Sequence, residues 1–278
     1  MPSYDFSDTV VFVTGAGRGQ GRSHAVQFAE HGADVVVTDI CETLSSPHYE
    51  FSTREDLEET ASLVREHDGE SLALEVDVRD EADVKAAVDA AIEKFGRVDV
   101  LANNAGMMTM DGLLDIEETT WNETVDTVLK GVWICSKHVG AHMVERGEGG
   151  KIVNTGSASA IVGFPHMGHY AAAKHGVMGL TKTLALELAE HDINVNAVCP
   201  SAVETMVTSG IIDAHGDEAI SAITDVAGPA NVMTWAQSGE EELLSVNDVT
   251  EAYLWLSSDA ARYVTGTVIV IDAGFTAK

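Results

Sequence analysis

The sequence predicts an α/β protein built on a doubly wound parallel sheet of about seven strands, with helices on both faces. Two observations predict it. Short apolar, β-branched runs recur along all 278 residues, and segments with helical spacing separate them. That alternation requires a parallel sheet covered on both sides. In addition, a glycine-rich run, Gly15-Ala16-Gly17-Arg18-Gly19-Gln20-Gly21, follows the first apolar run and opens the first helical segment.

The candidate strands are residues 10–13, 35–38, 72–76, 98–102, 152–155, 193–198 and 267–271, each rich in Val, Ile or Leu. Between them, Val84, Ala87, Val88, Ala91, Ile92 and Phe95 form one apolar helical face. Residues 24–30 are another helix, ended by Gly32 where a left-handed cap is wanted. Two stretches read as irregular, residues 41–53 after the second strand and about 201–245 after the sixth. Loops of that length in a compact domain are usually functional. No repeat or low-complexity linker divides the chain, so residues 1–278 are expected to form one domain, with 201–245 as a substrate lid.

Composition narrows the partners. The chain carries 45 acidic residues against 16 basic ones, a net charge of −29, dispersed through helix-like segments and not gathered in a tail. Nucleic acid and anionic membranes are disfavoured as partners, and none is expected. Such self-repulsion suits concentrated salt, so a halophile's cytoplasm is the expected setting. No apolar run approaches the ~20 residues of a membrane span, and the start, Met1-Pro2-Ser3-Tyr4-Asp5, is no signal peptide. Cys41, Cys135 and Cys199 are too scattered for a disulfide framework.

The chemistry concentrates in two places. A glycine-rich turn between strand and helix lets the backbone approach a pyrophosphate, which the helix N-terminus then attracts. Asp39 ends the second strand, where a carboxylate accepts both hydroxyls of an adenosine ribose and repels a 2′-phosphate. That favours NAD over NADP, although Arg18 is a nearby cation that tolerates a phosphate. Further along, Tyr170 and Lys174 lie one helical turn apart on one face, with Ser157 upstream. An ammonium beside the phenol, together with an oxidised nicotinamide, favours the phenolate. Ser157 then bonds the substrate oxygen while Tyr170 moves its proton. His166 and His169 are three apart, but no carboxylate or cysteine completes a metal set, and none is expected. His169 is expected to wall the substrate cleft, and Met206, Met233 and Trp235 to lie in the lid.

In family order, the segment 14–21, Asp77-Val78, Asn103-Asn104-Ala105-Gly106, Ser157, Tyr170, Lys174 and the segment 200–205 resemble the short-chain dehydrogenases/reductases, over about residues 9–274. The resemblance implies a Rossmann fold, a homotetramer packed through residues 121–144 and 171–188, and a set of NAD contacts. Gly15, Arg18, Gly19, Gln20, Gly21, Asp39 and Ile40 would belong to that set. Asp77 and Val78 would meet the adenine, and Asn104, Ala105 and Gly106 the adenosine ribose. Val203 and Thr205 would hold the carboxamide, and Tyr170 and Lys174 the nicotinamide end. The run Gly17-Arg18-Gly19-Gln20-Gly21-Arg22-Ser23-His24, with Asp39-Ile40-Cys41 and the insertion before Glu55, is similar to the carveol-dehydrogenase-like, mycofactocin-associated subgroup, whose insertion is associated with tightly held NAD. Two departures stand out: Val128 replaces the family's Asn in Val128-Leu129-Lys130-Gly131, and Ser201 follows Pro200 where glycine is usual. The expected activity is hydride transfer between a secondary alcohol, or its ketone, and NAD. Alternatives are a 3-oxoacyl or sugar dehydrogenase of the same fold, and a regulator that senses NAD without turnover.

Overall fold

The computed structural model describes residues 4–67, 69–229, 231–233 and 242–277. Seven strands, β1 (Val10–Thr14), β2 (Asp34–Asp39), β3 (Ser71–Glu75), β4 (Val100–Asn103), β5 (Gly150–Thr155), β6 (Ile193–Pro200) and β7 (Val268–Ile271), form one sheet in the order β3-β2-β1-β4-β5-β6-β7. Every pairing is parallel, as the alternation predicts. All five residues of β1 are buried, because both faces of the sheet are covered.

The pleat sorts the core into two layers. Val11, Val13, Val35 and Val37 pack with α1 (Gly19–Glu30) and α2 (Arg54–Arg65). Val10, Phe12, Val36 and Leu101 point the other way, toward α3 (Glu81–Phe95). Burying each such side chain contributes roughly 1.5–3 kcal/mol. Two further helices, α4 (Glu118–Val125) and α5 (Gly131–Arg146), are joined by a π turn, Asp126–Lys130, and α5 supplies Ile134, Val139 and Met143 to the second layer. After these come α6 (Gly168–Glu187), α7 (Met206–Ala227) and α8 (Val246–Ser257), the last joining the first layer.

Helix ends follow local chemistry. Thr53 and Asp56 close a capping box on α2, and Asp80 accepts from Ala82 and Asp83 amides on α3, which ends at left-handed Gly96. Gly32, with φ +97°, donates to Ala29 just past α1, as its position in the sequence predicts. The stretch 201–245 corrects the irregular assignment, since α7 occupies its first half. That helix breaks at Gly216 (φ 70°, ψ 177°), which throws its two halves out of phase and hides the helical period. Residues 41–53 hold no helix or strand, as expected. Trp235 lies outside the described residues. No described helix is long and apolar enough to cross a membrane.

Candidate active site

Strand order reverses between β1 and β4, so a crevice opens beyond their carboxyl ends. The glycine turn fills its floor. Gly15 has φ +65°, and a side chain there would come within 2.8 Å of the Ala105 Cα. At Gly21 an added Cβ would lie 2.0 Å from the Gly15 carbonyl oxygen, so only glycine lets α1 pack this closely on the turn. The amide of Asn104 donates to the Thr14 and Gly15 carbonyls at 3.0 and 3.1 Å, while the Thr14 hydroxyl accepts from the Asn104 and Ala105 amides at 3.0 Å each. These bonds fix the turn against β4. Arg22, given no role in the sequence reading beyond its place in the Gly17–His24 run, donates to the Gly17 carbonyl from the α1 side and pairs with Glu59 at 2.7 Å.

In contrast to α2, α3 and α8, α1 has no side-chain cap and no acid in its first turn. Gly19 and Gln20 of that first turn line the crevice, and the free amides of an uncapped helix start are the condition for holding an anion. Asp39, nearly buried, accepts the Gly17 amide through Oδ2 at 2.9 Å and keeps Oδ1 only 3.5 Å from the Cys41 amide. One carboxylate oxygen is thus left open to a ligand. The Arg18 guanidinium turns to the Glu50 carbonyl, away from competition with that carboxylate. Asp77 is clamped by Arg79, whose Nη2 lies 2.6 Å from Oδ2; burial opposes its ionisation, but these bonds hold its carboxyl below the usual range.

A cavity of about 400 Å³ joins these groups to the catalytic candidates. Gly15, Arg18, Gly19, Gln20, Asp39, Ile40, Asp77, Val78, Asn104, Ala105, Gly106, Val203 and Thr205 all line it, as do Ser157, Tyr170 and Lys174. Gly21 does not: it sits behind the wall, and its contribution is the packing just described. The open carboxylate, the uncapped helix and the buried, unpartnered Gln20 Oε1 fit a dinucleotide.

Ser157 caps the 3-10 turn Ala158–Ala160, its Oγ accepting from the Ser159 amide and hydroxyl at 3.2 and 2.9 Å. Tyr170 and Lys174 sit one turn apart on α6. Burial pushes the Tyr170 phenol above its ordinary range, against a smaller downward pull from Ser157. The Lys174 ammonium donates to the Thr155 carbonyl at 2.6 Å and stands 5.5 Å from the Tyr170 ring centroid. Burial lowers Lys174 to about 8. The Thr155 hydroxyl in turn meets the Tyr253 hydroxyl at 2.5 Å, and the Tyr253 ring stacks on His24 with centroids 4.0 Å apart. Burial holds His24 neutral, its pKa lowered to about 3.

His169 is not a cleft wall. It is fully buried and bonded to the Thr109 hydroxyl at 2.9 Å, because α6 turns it toward the β4 side while Tyr170 faces the cavity. Among the described residues, no group of three His, Cys, Asp or Glu side chains is placed to hold a metal ion. Val128 is fully buried within the π turn, so the helical distortion persists although the side chain there is apolar. Met206 lines the cavity, whereas exposed Met233 does not. Tyr49 and Ser52, from the stretch after β2, line it without having shown any periodic signal in the sequence.

Fold and site place the chain among nucleotide-dependent oxidoreductases. The family model described as enoyl-(acyl carrier protein) reductase matches residues 15–276, and the chain belongs to that family, the short-chain dehydrogenases/reductases. A short-chain type dehydrogenase/reductase of Mycolicibacterium smegmatis is 42% identical over 97% of both chains. The (-)-trans-carveol dehydrogenase of Rhodococcus erythropolis is 38% identical over 97% of this chain and 98% of its own. A crystal structure of carveol dehydrogenase from Mycobacterium avium in complex with NAD superposes with a TM-score of 0.90 at 38% identity, covering 99% of this chain and 100% of that one.

Proposed function

We infer that the protein is an NAD-dependent oxidoreductase interconverting a secondary alcohol and its ketone. The carrying observation is that Ser157, Tyr170 and Lys174 share one cavity with the uncapped start of α1 and the half-open Asp39 carboxylate. When bound, NAD supplies the hydride acceptor, or NADH the donor. Asp39 would hold its ribose and select against a 2′-phosphate, and the amides of the α1 start would hold its pyrophosphate. Ser157 orients the substrate oxygen. Tyr170, neutral in its buried setting, gives its proton to a ketone oxygen in reduction and takes the hydroxyl proton back in oxidation. Lys174, fixed by the Thr155 carbonyl, would hold the ribose at the nicotinamide end. With the Val128 side chain unable to bond water, its backbone carbonyl would anchor the solvent that resupplies the proton.

The walls near Tyr170 are apolar, with Met110, Met167 and Ile211 buried and Met108, Phe164 and Val207 beside them, which favours an alcohol on an apolar body over a sugar. The retained Ser157, Tyr170 and Lys174 argue against a sensor without turnover, with Val128 the one feature in its favour. Residues 1–278 would act as one domain with residues 201–245 as the lid over the substrate, in the cytoplasm of a halophile. Half-exposed Trp121 and Trp133, with Leu186 82% exposed, supply apolar surface for a homotetramer; light scattering showing a monomer at all salt concentrations would reject that assembly. NADH formation over a panel of secondary alcohols tests the activity, and absence of turnover across the panel would overturn it.

A further inference from the structure

We propose that Tyr49, carried by the irregular stretch between β2 and α2, is a substrate-specificity residue whose hydroxyl donates a hydrogen bond to a second oxygen on the substrate. The alcohol it favours has an apolar body, its reacting carbinol at Ser157 and Tyr170, and an ether, carbonyl or hydroxyl oxygen further along. This deepens the dehydrogenase assignment and rests on it.

Four observations carry the proposal. Tyr49 is only 8% exposed although its flanking segment has no regular structure, so its ring is inserted and not draped. The ring stacks on Phe51 at 5.7 Å, and its Cβ lies 2.5 Å from where a side chain on Gly210 would begin, so the α7 backbone seats directly on it. It lines the same cavity as Ser157 and Tyr170, and its charge, were it ionised, would raise the Tyr170 pKa. Finally, the phenol oxygen accepts the Met108 amide at 3.0 Å, which fixes the oxygen but leaves its proton unassigned.

Among the described residues no acceptor takes that proton. Burial raises Tyr49 to about 12, so the hydroxyl keeps its proton throughout the physiological range. A donor held in place by one bond and aimed from a wall of apolar side chains is the arrangement that selects an acceptor on a ligand. Met110, Met167 and Ile211, on the walls near Tyr170, are apolar and accommodate hydrocarbon.

The test uses matched pairs of secondary alcohols graded in length, one member of each pair carrying an ether oxygen in place of a methylene. Wild type and Tyr49→Phe are compared by kcat/KM for each pair. At one length, Tyr49→Phe is expected to cut the ether-to-methylene ratio about two- to tenfold, the range for one lost neutral hydrogen bond. A loosened loop would lower both members equally, so the ratio separates specificity from structure. The corresponding ketones are also titrated into the protein–NADH complex by NADH fluorescence. If no pair is turned over, the dehydrogenase assignment fails while this ratio of affinities still decides the role of Tyr49. A ratio unchanged by Tyr49→Phe at every length overturns the proposal.

Discussion

Replacing Asp39 by Asn tests the cofactor side of the site with little change of shape. The amide oxygen of the new side chain can still accept the Gly17 amide, which Asp39 now accepts at 2.9 Å. What changes is the other oxygen, which accepts a long hydrogen bond from the Cys41 amide at 3.5 Å. In the variant that position becomes a neutral group with donors. Hydrogen bonds to a charged group contribute about 1.5–3 kcal/mol each against about 0.5–1.5 for neutral ones. Loss of one such bond to a ribose hydroxyl therefore lowers kcat/KM with NAD by about ten- to a hundredfold, at 1.36 kcal/mol per factor of ten. With NADP the sign reverses, because a nearly buried carboxylate no longer faces the 2′-phosphate. Arg18, on the Glu50 carbonyl, lines the same cavity and is the cation expected to meet that phosphate. The assay is kcat/KM with each cofactor at a fixed alcohol concentration, alongside a thermal melt to verify folding. A cofactor ratio unmoved by Asp39→Asn, or a wild type that uses NADP as well as NAD, would refute the role of this carboxylate.

Three other outcomes follow from particular contacts. Gly21→Ala places its Cβ against the Gly15 carbonyl at 2.0 Å, and since backbone cannot rotate away, NAD affinity and melting temperature should fall together; a near-normal variant would contradict the packing of this turn. Lys174 titrates near 8 when folded, below its ordinary 10.5, so the unfolded chain binds more protons between these values. Wild-type stability should therefore rise relative to Lys174→Met as pH climbs from about 8, by at most about 1.4 kcal/mol per unit, and a difference independent of pH would show that the ammonium is not strained by burial. With net charge −29, the melting midpoint should rise from about 0.1 M to about 3 M KCl, the screening length falling from ~10 Å at 0.1 M to ~3 Å already at 1 M, whereas a flat or falling midpoint would remove the halophile proposal.

Much of the fold was readable because its signals are local. The run Val10-Val11-Phe12-Val13 is apolar on both faces of the pleat, which only a doubly covered strand tolerates, and its burial matches. The one-turn separation of Tyr170 and Lys174 needed no tertiary information either. Beyond that, long-range contacts decide. Which oxygen Lys174 bonds depends on Thr155, 19 residues away on another element, and the spacing of the motif does not reveal it. The motif around Asn104 indicates a strand end, but not that its amide faces Thr14 and Gly15, some 90 residues earlier. His169 is adjacent to Tyr170 in sequence and yet faces away from the cavity, as helical geometry requires of neighbours. Tyr49 carried no signal, because its position is set by Met108 and Gly210 across the crevice.

The proton-transfer role of Tyr170 is tested most directly by Tyr170→Phe, which deletes one hydroxyl and keeps the ring in its half-buried seat on α6. The Ser157 hydroxyl keeps its bond to Ser159, so the neighbouring site should stand. Turnover of a secondary alcohol is measured together with NADH affinity by fluorescence. A positioned acid–base group contributes about 10²–10⁴-fold, so kcat should fall by that factor while NADH binds within a few-fold of wild type. A variant that retains near-normal kcat would contradict proton transfer by Tyr170.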